Sequence, residues 1–124
     1  MSSEEHKKAI LVVDDESEHL EIMGRRLAQG KYRVITADSG KKALRTMGVE
    51  KPGLVLLDII MPGMNGFETL KKIKEIDREI PVVMVTSIWD EDEYKRCIGA
   101  GACEYITKPI DFERLETIIL SKLF

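Results

Sequence analysis

The sequence is poor in cysteine and histidine, which excludes two common ways of stabilising a small protein. Its two cysteines, Cys97 and Cys103, provide no disulfide framework. With only His6 and His19 beside them, they also lack the spacing of a zinc site. We therefore expect two reduced thiols that pack as small apolar residues, as is usual in a cytoplasmic protein.

The sequence also lacks a long apolar segment and a large excess of charge. Its longest apolar runs, Ala9–Val13 and Pro81–Val85, have the length of a strand and are too short to span a membrane. Residues 1–6 contain no apolar signal-peptide region. The net charge of −3, from 19 basic and 22 acidic residues, predicts no direct affinity for nucleic acid or for a membrane surface.

What remains is the composition of one soluble domain in which strands and helices alternate. The 124 residues, 44% hydrophobic and 33% charged, are enough for one core. Short apolar runs predict strands that are buried on both faces: Ala9–Val13, Val34–Thr36, Leu54–Leu57, Val82–Val85 and Tyr105–Thr107. Helical segments follow each run, the fourth of them mostly polar and spanning about residues 90–99. This alternation predicts an α/β fold with a mainly parallel sheet covered on both faces.

Three residues are expected to mark helix ends. Ser39 and Asp111 stand where an N-cap would begin the second and fifth helices. Gly30 follows the apolar stripe of the first helix and is expected to act as its C-cap.

Polar side chains follow four of the predicted strands. Asp14 and Asp15 come after the first strand, Asp58 after the third, Thr86 after the fourth and Lys108 after the fifth. The carboxyl ends of parallel strands share one edge, where ligands bind at the point of strand-order reversal. In a doubly wound order 2-1-3-4-5, the first and third strands are neighbours, so the three carboxylates should meet.

These residue types together indicate phosphoryl transfer. Three ionised carboxylates cannot share a pocket unless a pKa rises or a divalent cation binds. Oxygen ligands favour Mg²⁺, with Mn²⁺ as the alternative. Lys108 supplies a point charge for an anion and Thr86 a hydroxyl donor, so the sequence has residues for a nucleophile, for metal binding and for charge neutralisation. Each residue alone could equally be an ordinary turn or capping residue, and the hypothesis rests on their order along the sheet edge.

Several motifs occur in the order and spacing of a known family. They are Leu11–Asp15, Ala37–Gly40, the segment Leu56–Gly66 with its Met61-Pro62 pair, and Gly101-Ala102 followed by Tyr105 and Lys108-Pro109. Over residues 8–122 the sequence resembles the receiver domains of response regulators. The resemblance implies a CheY-like, flavodoxin-like fold with strand order 2-1-3-4-5. It also implies a receiver domain at residues 8–124 after a short tail, residues 1–7.

The resemblance implies a specific chemistry. Asp58 would accept a phosphoryl group from the phosphohistidine of a histidine kinase or histidine phosphotransferase. Asp15, Asp58 and the backbone carbonyl of Ile60 would bind Mg²⁺, with Asp14 acting through a water. Such a protein is not an enzyme in the usual sense, since it catalyses only its own phosphorylation and dephosphorylation.

The resemblance also implies a conformational switch. Lys108 would pair with Asp58 and then with the phosphoryl group, aimed by a cis bond to Pro109. Thr86 would move toward the phosphoryl oxygens, and Tyr105 would rotate into the vacated space.

Two surfaces would follow from that switch. The phosphodonor would dock near helix 1 and the strand 5–helix 5 loop. An unknown output protein would bind the face formed by helix 4, strand 5 and helix 5, which includes Glu91, Asp92, Lys95 and Tyr105.

The sequence departs from the family pattern at a few positions. Ser87 stands where Ala or Gly is more common, and Trp89 has no inferred role. Ile60 and Ile88 are apolar where many relatives carry polar side chains, and neither can orient a water for hydrolysis. A long-lived phosphoryl group is therefore expected.

Two other functions are compatible with parts of this pattern. A phosphatase of the haloacid-dehalogenase type also uses an aspartyl phosphate, but it needs an acid at the position of Ile60. A non-phosphorylated interaction module has no need of the clustered acids. The sequence leaves open whether the receiver stands alone or comes from a longer regulator.

Overall fold

A computed structural model describes residues 8–30, 32–61, 63–87 and 89–123. The described chain forms five strands and five helices in strict alternation: β1 Lys8–Val13, α1 Ser17–Ala28, β2 Tyr32–Ala37, α2 Gly40–Val49, β3 Leu54–Asp58, α3 Gly66–Ile76, β4 Val82–Thr86, α4 Glu91–Gly99, β5 Glu104–Thr107 and α5 Phe112–Leu123. Every strand pairing is parallel and the strand order is β2-β1-β3-β4-β5, which confirms the predicted doubly wound sheet. The predicted tail, residues 1–7, lies outside the described residues.

The core has two layers because successive strand residues point to opposite faces of the sheet. Leu11 and Leu57 pack on the face covered by α2, α3 and α4, whereas Ile10 and Leu56 pack on the face covered by α1 and α5. All residues of β3 and β4 are buried, as their continuous apolar sequences predict. None of the described helices is long and apolar enough to span a bilayer.

The predicted N-caps are present. The Ser39 hydroxyl accepts a hydrogen bond from the backbone N–H of Lys42 at 3.1 Å, and the Asp111 carboxylate accepts one from the N–H of Glu113 at 3.0 Å. The mostly polar α4 begins in the same way, since Asp90 accepts from the N–H of Glu93 at 2.9 Å. These bonds satisfy backbone donors that a first helical turn leaves unpaired.

The prediction for Gly30 is wrong. The first helix ends at Ala28 and its C-cap is Gln29. Gly30 is not among the described glycines with positive φ, so left-handed backbone is not the reason for it. A Cβ atom at Gly30 would lie 2.5 Å from the ring of Tyr32, and glycine leaves room for that buried ring.

Candidate functional site

The candidate site lies at the carboxyl edge of the sheet, where β1 and β3 end side by side. Asp14 and Asp15 follow β1, and Asp58 is the last residue of β3. Val13 pairs with Leu57, so the acids that follow them are neighbours. One oxygen from each of the three carboxylates lies within 4.8 Å of the others. The structure thus brings the three acids together, as the predicted strand order requires.

Lys108 reaches this acid cluster from the end of β5. Its Nζ donates hydrogen bonds to Oδ2 of Asp14 and to Oδ2 of Asp58, both at 3.2 Å. Its backbone N–H donates to the carbonyl of Thr86 at 2.7 Å, and its bond to Pro109 is cis. The ammonium therefore bridges the two buried carboxylates.

Burial and charge act in opposite directions on these groups. Burial raises the pKa of Asp58, Lys108 lowers it and the Asp14 carboxylate raises it, with a net pKa above the usual range. For Lys108, burial lowers the pKa, but the Asp58 and Asp14 carboxylates outweigh burial and the net pKa is raised. The site therefore favours the protonated form of Lys108 and disfavours the ionised form of Asp58.

The backbone of the loop after β3 contacts one oxygen of the Asp58 carboxylate. The N–H of Ile60 donates to Oδ1 of Asp58 at 3.1 Å, and the N–H of Gly66 donates to the carbonyl of Ile59 at 2.8 Å. A Cβ atom at Gly66 would collide with the Asp58 carbonyl oxygen. Glycine at this position is what allows α3 to begin directly against the end of β3.

Thr86 and Tyr105 lie on the other side of this loop. Both are buried, and both line a cavity of about 400 Å³ between the β3–α3 loop and α4. Asp58 and Lys108 line a different cavity, of about 450 Å³. In this conformation the proposed switch pair and the acid cluster thus open onto separate spaces.

Tyr105 is the base of an aromatic cluster that sequence patterns did not indicate. Its ring meets Trp89 and Tyr94 edge-on, with centroids 5.3 and 5.6 Å away, and Trp89 lies 5.0 Å from Tyr94. Tyr105 is only 4% exposed whereas Trp89 is 52% exposed. Trp89 therefore covers Tyr105, and Tyr105 is not part of the outer surface in this conformation.

Among the other predicted residues, only some can be located. The side chain of Ile60 is 63% exposed beside the site. Ile88 lies outside the described residues. Glu91, Asp92 and Lys95 are exposed on α4, where an output partner was expected to bind.

From the sequence alone, His19 was considered only as a possible zinc ligand together with the two cysteines. In the structure its Nδ1 lies 3.2 Å from Oδ2 of Asp14 and 3.1 Å from Nζ of Lys108. Its Nε2 lies 3.4 Å from Oε2 of Glu16. The position of His19 in the first turn of α1, just after the acidic pair, is the signal that could have identified it.

The acid cluster passes a simple test of fit for a hard cation. Its ligand atoms are carboxylate oxygens that lie close enough to share one ion, and an exposed acid, Asp15, opens the cluster to solvent. The backbone carbonyl of Ile60 belongs to the β3–α3 loop, two residues after Asp58. This donor set suits Mg²⁺ or Mn²⁺.

Comparison with known proteins decides the family. The sequence model of the response regulator receiver domain matches residues 10–120. The chain belongs to this family. It is 36% identical over 119 residues to the rice two-component response regulator ORR3 (Oryza sativa), covering 91% of each chain. It is 37% identical over 118 residues to the probable transcriptional regulator ycf27 of Cyanophora paradoxa, covering 95% of this chain and 49% of that protein.

Solved structures agree with this assignment. The crystal structure of a CheY-like receiver domain protein from Methanospirillum hungatei superposes with a TM-score of 0.90, at 32% identity and 94% coverage of each chain. The receiver domain spans about half or less of the length of several curated relatives. It is a signalling domain of the two-component type, activated by phosphorylation, and receiver domains generally bind Mg²⁺ at an acidic pocket.

Proposed function

We propose that Asp58 is the phosphoacceptor of this receiver domain. The observation that carries the proposal is a buried carboxylate, 7% exposed, at the end of β3 with a lysine ammonium 3.2 Å from one of its oxygens. That oxygen would attack the phosphorus of a phosphohistidine. The phosphorus–nitrogen bond would break as the acyl phosphate forms, its electron pair would go to the departing imidazole, and the imidazole would take up a proton from solvent. The domain would catalyse only this reaction and the loss of the phosphoryl group.

The same acids are our candidates for the Mg²⁺ site. Asp15, Asp58 and the backbone carbonyl of Ile60 would bind the ion directly, and Asp14 would act through a water. A bound Mg²⁺ offsets carboxylate–phosphate repulsion and stabilises charge on the transferred oxygens. Mn²⁺ has the same preference for oxygen ligands and would substitute for it.

Lys108 would neutralise the negative charge of the Asp58 carboxylate and then that of the phosphoryl group. Before phosphorylation it pairs with Asp14 and Asp58, and esterification of Asp58 would free one of its three N–H donors for a phosphoryl oxygen. The lysine thus stabilises the buried carboxylate first and the phosphoryl group afterwards.

The signal would leave the site through Thr86 and Tyr105. A phosphoryl group adds a charge of about −1.5 to −2, which would attract the Thr86 hydroxyl. Because Thr86 and Tyr105 line one cavity, movement of the first changes the space open to the second. Trp89 and Tyr94, in contact with Tyr105, would carry the change to α4, where an output protein would bind near Glu91, Asp92 and Lys95.

The phosphodonor would approach from α1 and the β5–α5 loop. Here Ile22, Ile110 and Phe112 line the 450 Å³ cavity that also contains Asp58 and Lys108. Ile22 is 55% exposed, so an apolar surface lies beside the acid site. A histidine kinase or histidine phosphotransferase that covered this surface would bring its phosphohistidine to Asp58.

We assign residues 8–124 to the receiver domain and residues 1–7 to a tail. We also propose that the domain acts in the cytoplasm.

The experiment is phosphorylation with acetyl phosphate and Mg²⁺, read by intact-mass spectrometry. The wild type should gain one phosphoryl group and Asp58→Asn none. Asp38→Asn is the matched control, because Asp38 is an exposed acid just after β2 on the same sheet edge. An adduct that persists in Asp58→Asn, or disappears in Asp38→Asn, would contradict the proposal.

A further inference from the structure

His19 lies against the catalytic lysine although nothing in the phosphorylation chemistry described so far requires it. It belongs to α1, and its imidazole is partly exposed. Its Nδ1 is 3.1 Å from Nζ of Lys108, as close as the two carboxylates that the lysine bridges. Lys108 therefore has three close neighbours, on three different segments of the chain.

The number of these neighbours matches the hydrogen-bonding capacity of an ammonium group. A lysine ammonium has three N–H donors and no acceptor. One donor can go to Asp14, one to Asp58 and the third to Nδ1 of His19, provided that Nδ1 carries no hydrogen. Nδ1 also lies 3.2 Å from Oδ2 of Asp14, so a hydrogen on Nδ1 would turn to that carboxylate and leave the third ammonium donor without the ring as its acceptor.

Glu16 offers an acceptor to the ring nitrogen that bears the hydrogen in the required tautomer. When Nδ1 is bare, the ring hydrogen of a neutral imidazole is on Nε2. Nε2 lies 3.4 Å from Oε2 of Glu16, a carboxylate that accepts hydrogen bonds and never donates them when ionised. The backbone N–H of Glu16 donates to Oδ1 of Asp14 at 3.0 Å, which fixes the loop that carries both acids.

We propose that His19 is a positioning residue for Lys108. In its Nε2–H tautomer it accepts a hydrogen bond from the ammonium and holds the long side chain in the acid cluster. When Asp58 becomes an acyl phosphate, the donor released from Asp58 turns to a phosphoryl oxygen while His19 and Asp14 keep the other two. This rests on the proposed function of Lys108 and adds a residue to it.

The first test is the tautomer, which does not depend on phosphorylation. Long-range ¹H–¹⁵N spectra of the metal-free chain at pH 8 distinguish protonated from bare ring nitrogens, and loss of signals in His19→Asn separates His19 from His6. We expect a bare Nδ1, whose resonance shifts in Lys108→Met. A hydrogen on Nδ1, or a resonance that Lys108→Met leaves unchanged, would overturn the proposal.

The second test is the rate of phosphorylation by acetyl phosphate in excess Mg²⁺. His19→Ala should slow it roughly tenfold, the loss of one positioning interaction. His19→Asn, whose amide oxygen reaches the place of Nδ1, should recover most of the rate. His19→Gln, whose head group reaches the place of Nε2, should not. Glu18→Gln is the control for α1, because Glu18 is exposed on the same helical turn.

These outcomes separate the two proposals. A wild type that accepts no phosphoryl group would refute the proposed function, and the ring-nitrogen spectra would still test His19. Equal rates in wild type and His19→Ala would overturn the positioning role alone. A loss in His19→Ala that Gln restores as well as Asn would also overturn it, because the role would then not belong to Nδ1.

Discussion

The ammonium nitrogen of Lys108 lies 3.2 Å from a carboxylate oxygen of Asp58, although 50 residues separate the two along the chain. Their side chains are 18% and 9% exposed, so little solvent screens the pair. Each group depends on the other, because an unpaired buried charge is costly. Stability and phosphorylation should therefore respond together to changes at this pair.

A double-mutant cycle measures that dependence. Lys108→Met should destabilise the metal-free domain, since it leaves the Asp58 carboxylate buried without its cation. The same change in an Asp58→Asn background should cost less, with a coupling energy of about 1 to 3 kcal/mol. Urea unfolding of the four proteins gives the value. Additive effects would mean that the two groups do not interact in solution.

Removal of the Asp58 charge should stabilise the metal-free domain in a pH-dependent way. Burial, with Asp14 adding to it, raises the pKa of Asp58 in the folded chain. Between the ordinary carboxyl pKa and this raised pKa, the folded state binds more protons than the unfolded state, so stability falls as pH rises. Asp58→Asn should therefore gain stability over the wild type as pH rises from 4 to 7. A difference that is constant with pH would exclude this origin.

Mg²⁺ should stabilise the wild type by mass action. At a concentration ten times its Kd, a ligand that binds only the folded state adds about 1.4 kcal/mol. Asp58→Asn and Asp15→Asn should lose most of this gain, whereas Asp38→Asn should keep it. Thermal melts at increasing Mg²⁺ and constant ionic strength provide the measurement. An equal gain in every variant would indicate a nonspecific salt effect.

Strand order and the residues at the sheet edge could be predicted from the sequence, for a physical reason. Buried parallel strands are continuous apolar runs, and the residue after each run must lie at the carboxyl edge, so Asp14, Asp58 and Lys108 were found by position alone. The caps Ser39 and Asp111 were also predicted, because their bonds are made within three residues along the chain.

The aromatic cluster and the role of His19 could not be predicted in this way. Trp89, Tyr94 and Tyr105 meet only when the β4–α4 loop, α4 and β5 come together, and no periodicity of one segment encodes that contact. His19 contacts Lys108 from 89 residues away. The prediction that Gly30 is a C-cap is wrong for a similar reason. Glycine is needed there to leave room for the ring of Tyr32, and a backbone pattern does not reveal that contact.

Trp89 should report the switch, since it is the chain's single tryptophan and contacts Tyr105. Phosphorylation in Mg²⁺ should change its emission as Tyr105 and the α4 face rearrange. Thr86→Val, which keeps the side-chain shape without the hydroxyl, should still accept phosphate but show less of this change. Full emission change in Thr86→Val would mean that the threonine hydroxyl does not couple the site to Tyr105.

The phosphoryl group should be long-lived, with a half-life of minutes or more. Ile60, which is 63% exposed beside Asp58, cannot orient a hydrolytic water or accept its proton. Loss of one water-positioning interaction of about 1.4 kcal/mol slows hydrolysis roughly tenfold. Ile60→Asn and Ile88→Glu, alone and combined, should shorten the lifetime in excess Mg²⁺. Unchanged rates, or a wild type that loses phosphate within seconds, would contradict this prediction.

The most direct test of the account is the position of the phosphoryl group itself. Borohydride reduction of the acyl phosphate in the phosphorylated wild type, followed by peptide mass mapping, labels the acceptor carboxyl without any mutation. The account predicts one reduced aspartate, at Asp58, in the peptide that contains the end of β3. Reduction at Asp14 or Asp15 would contradict it.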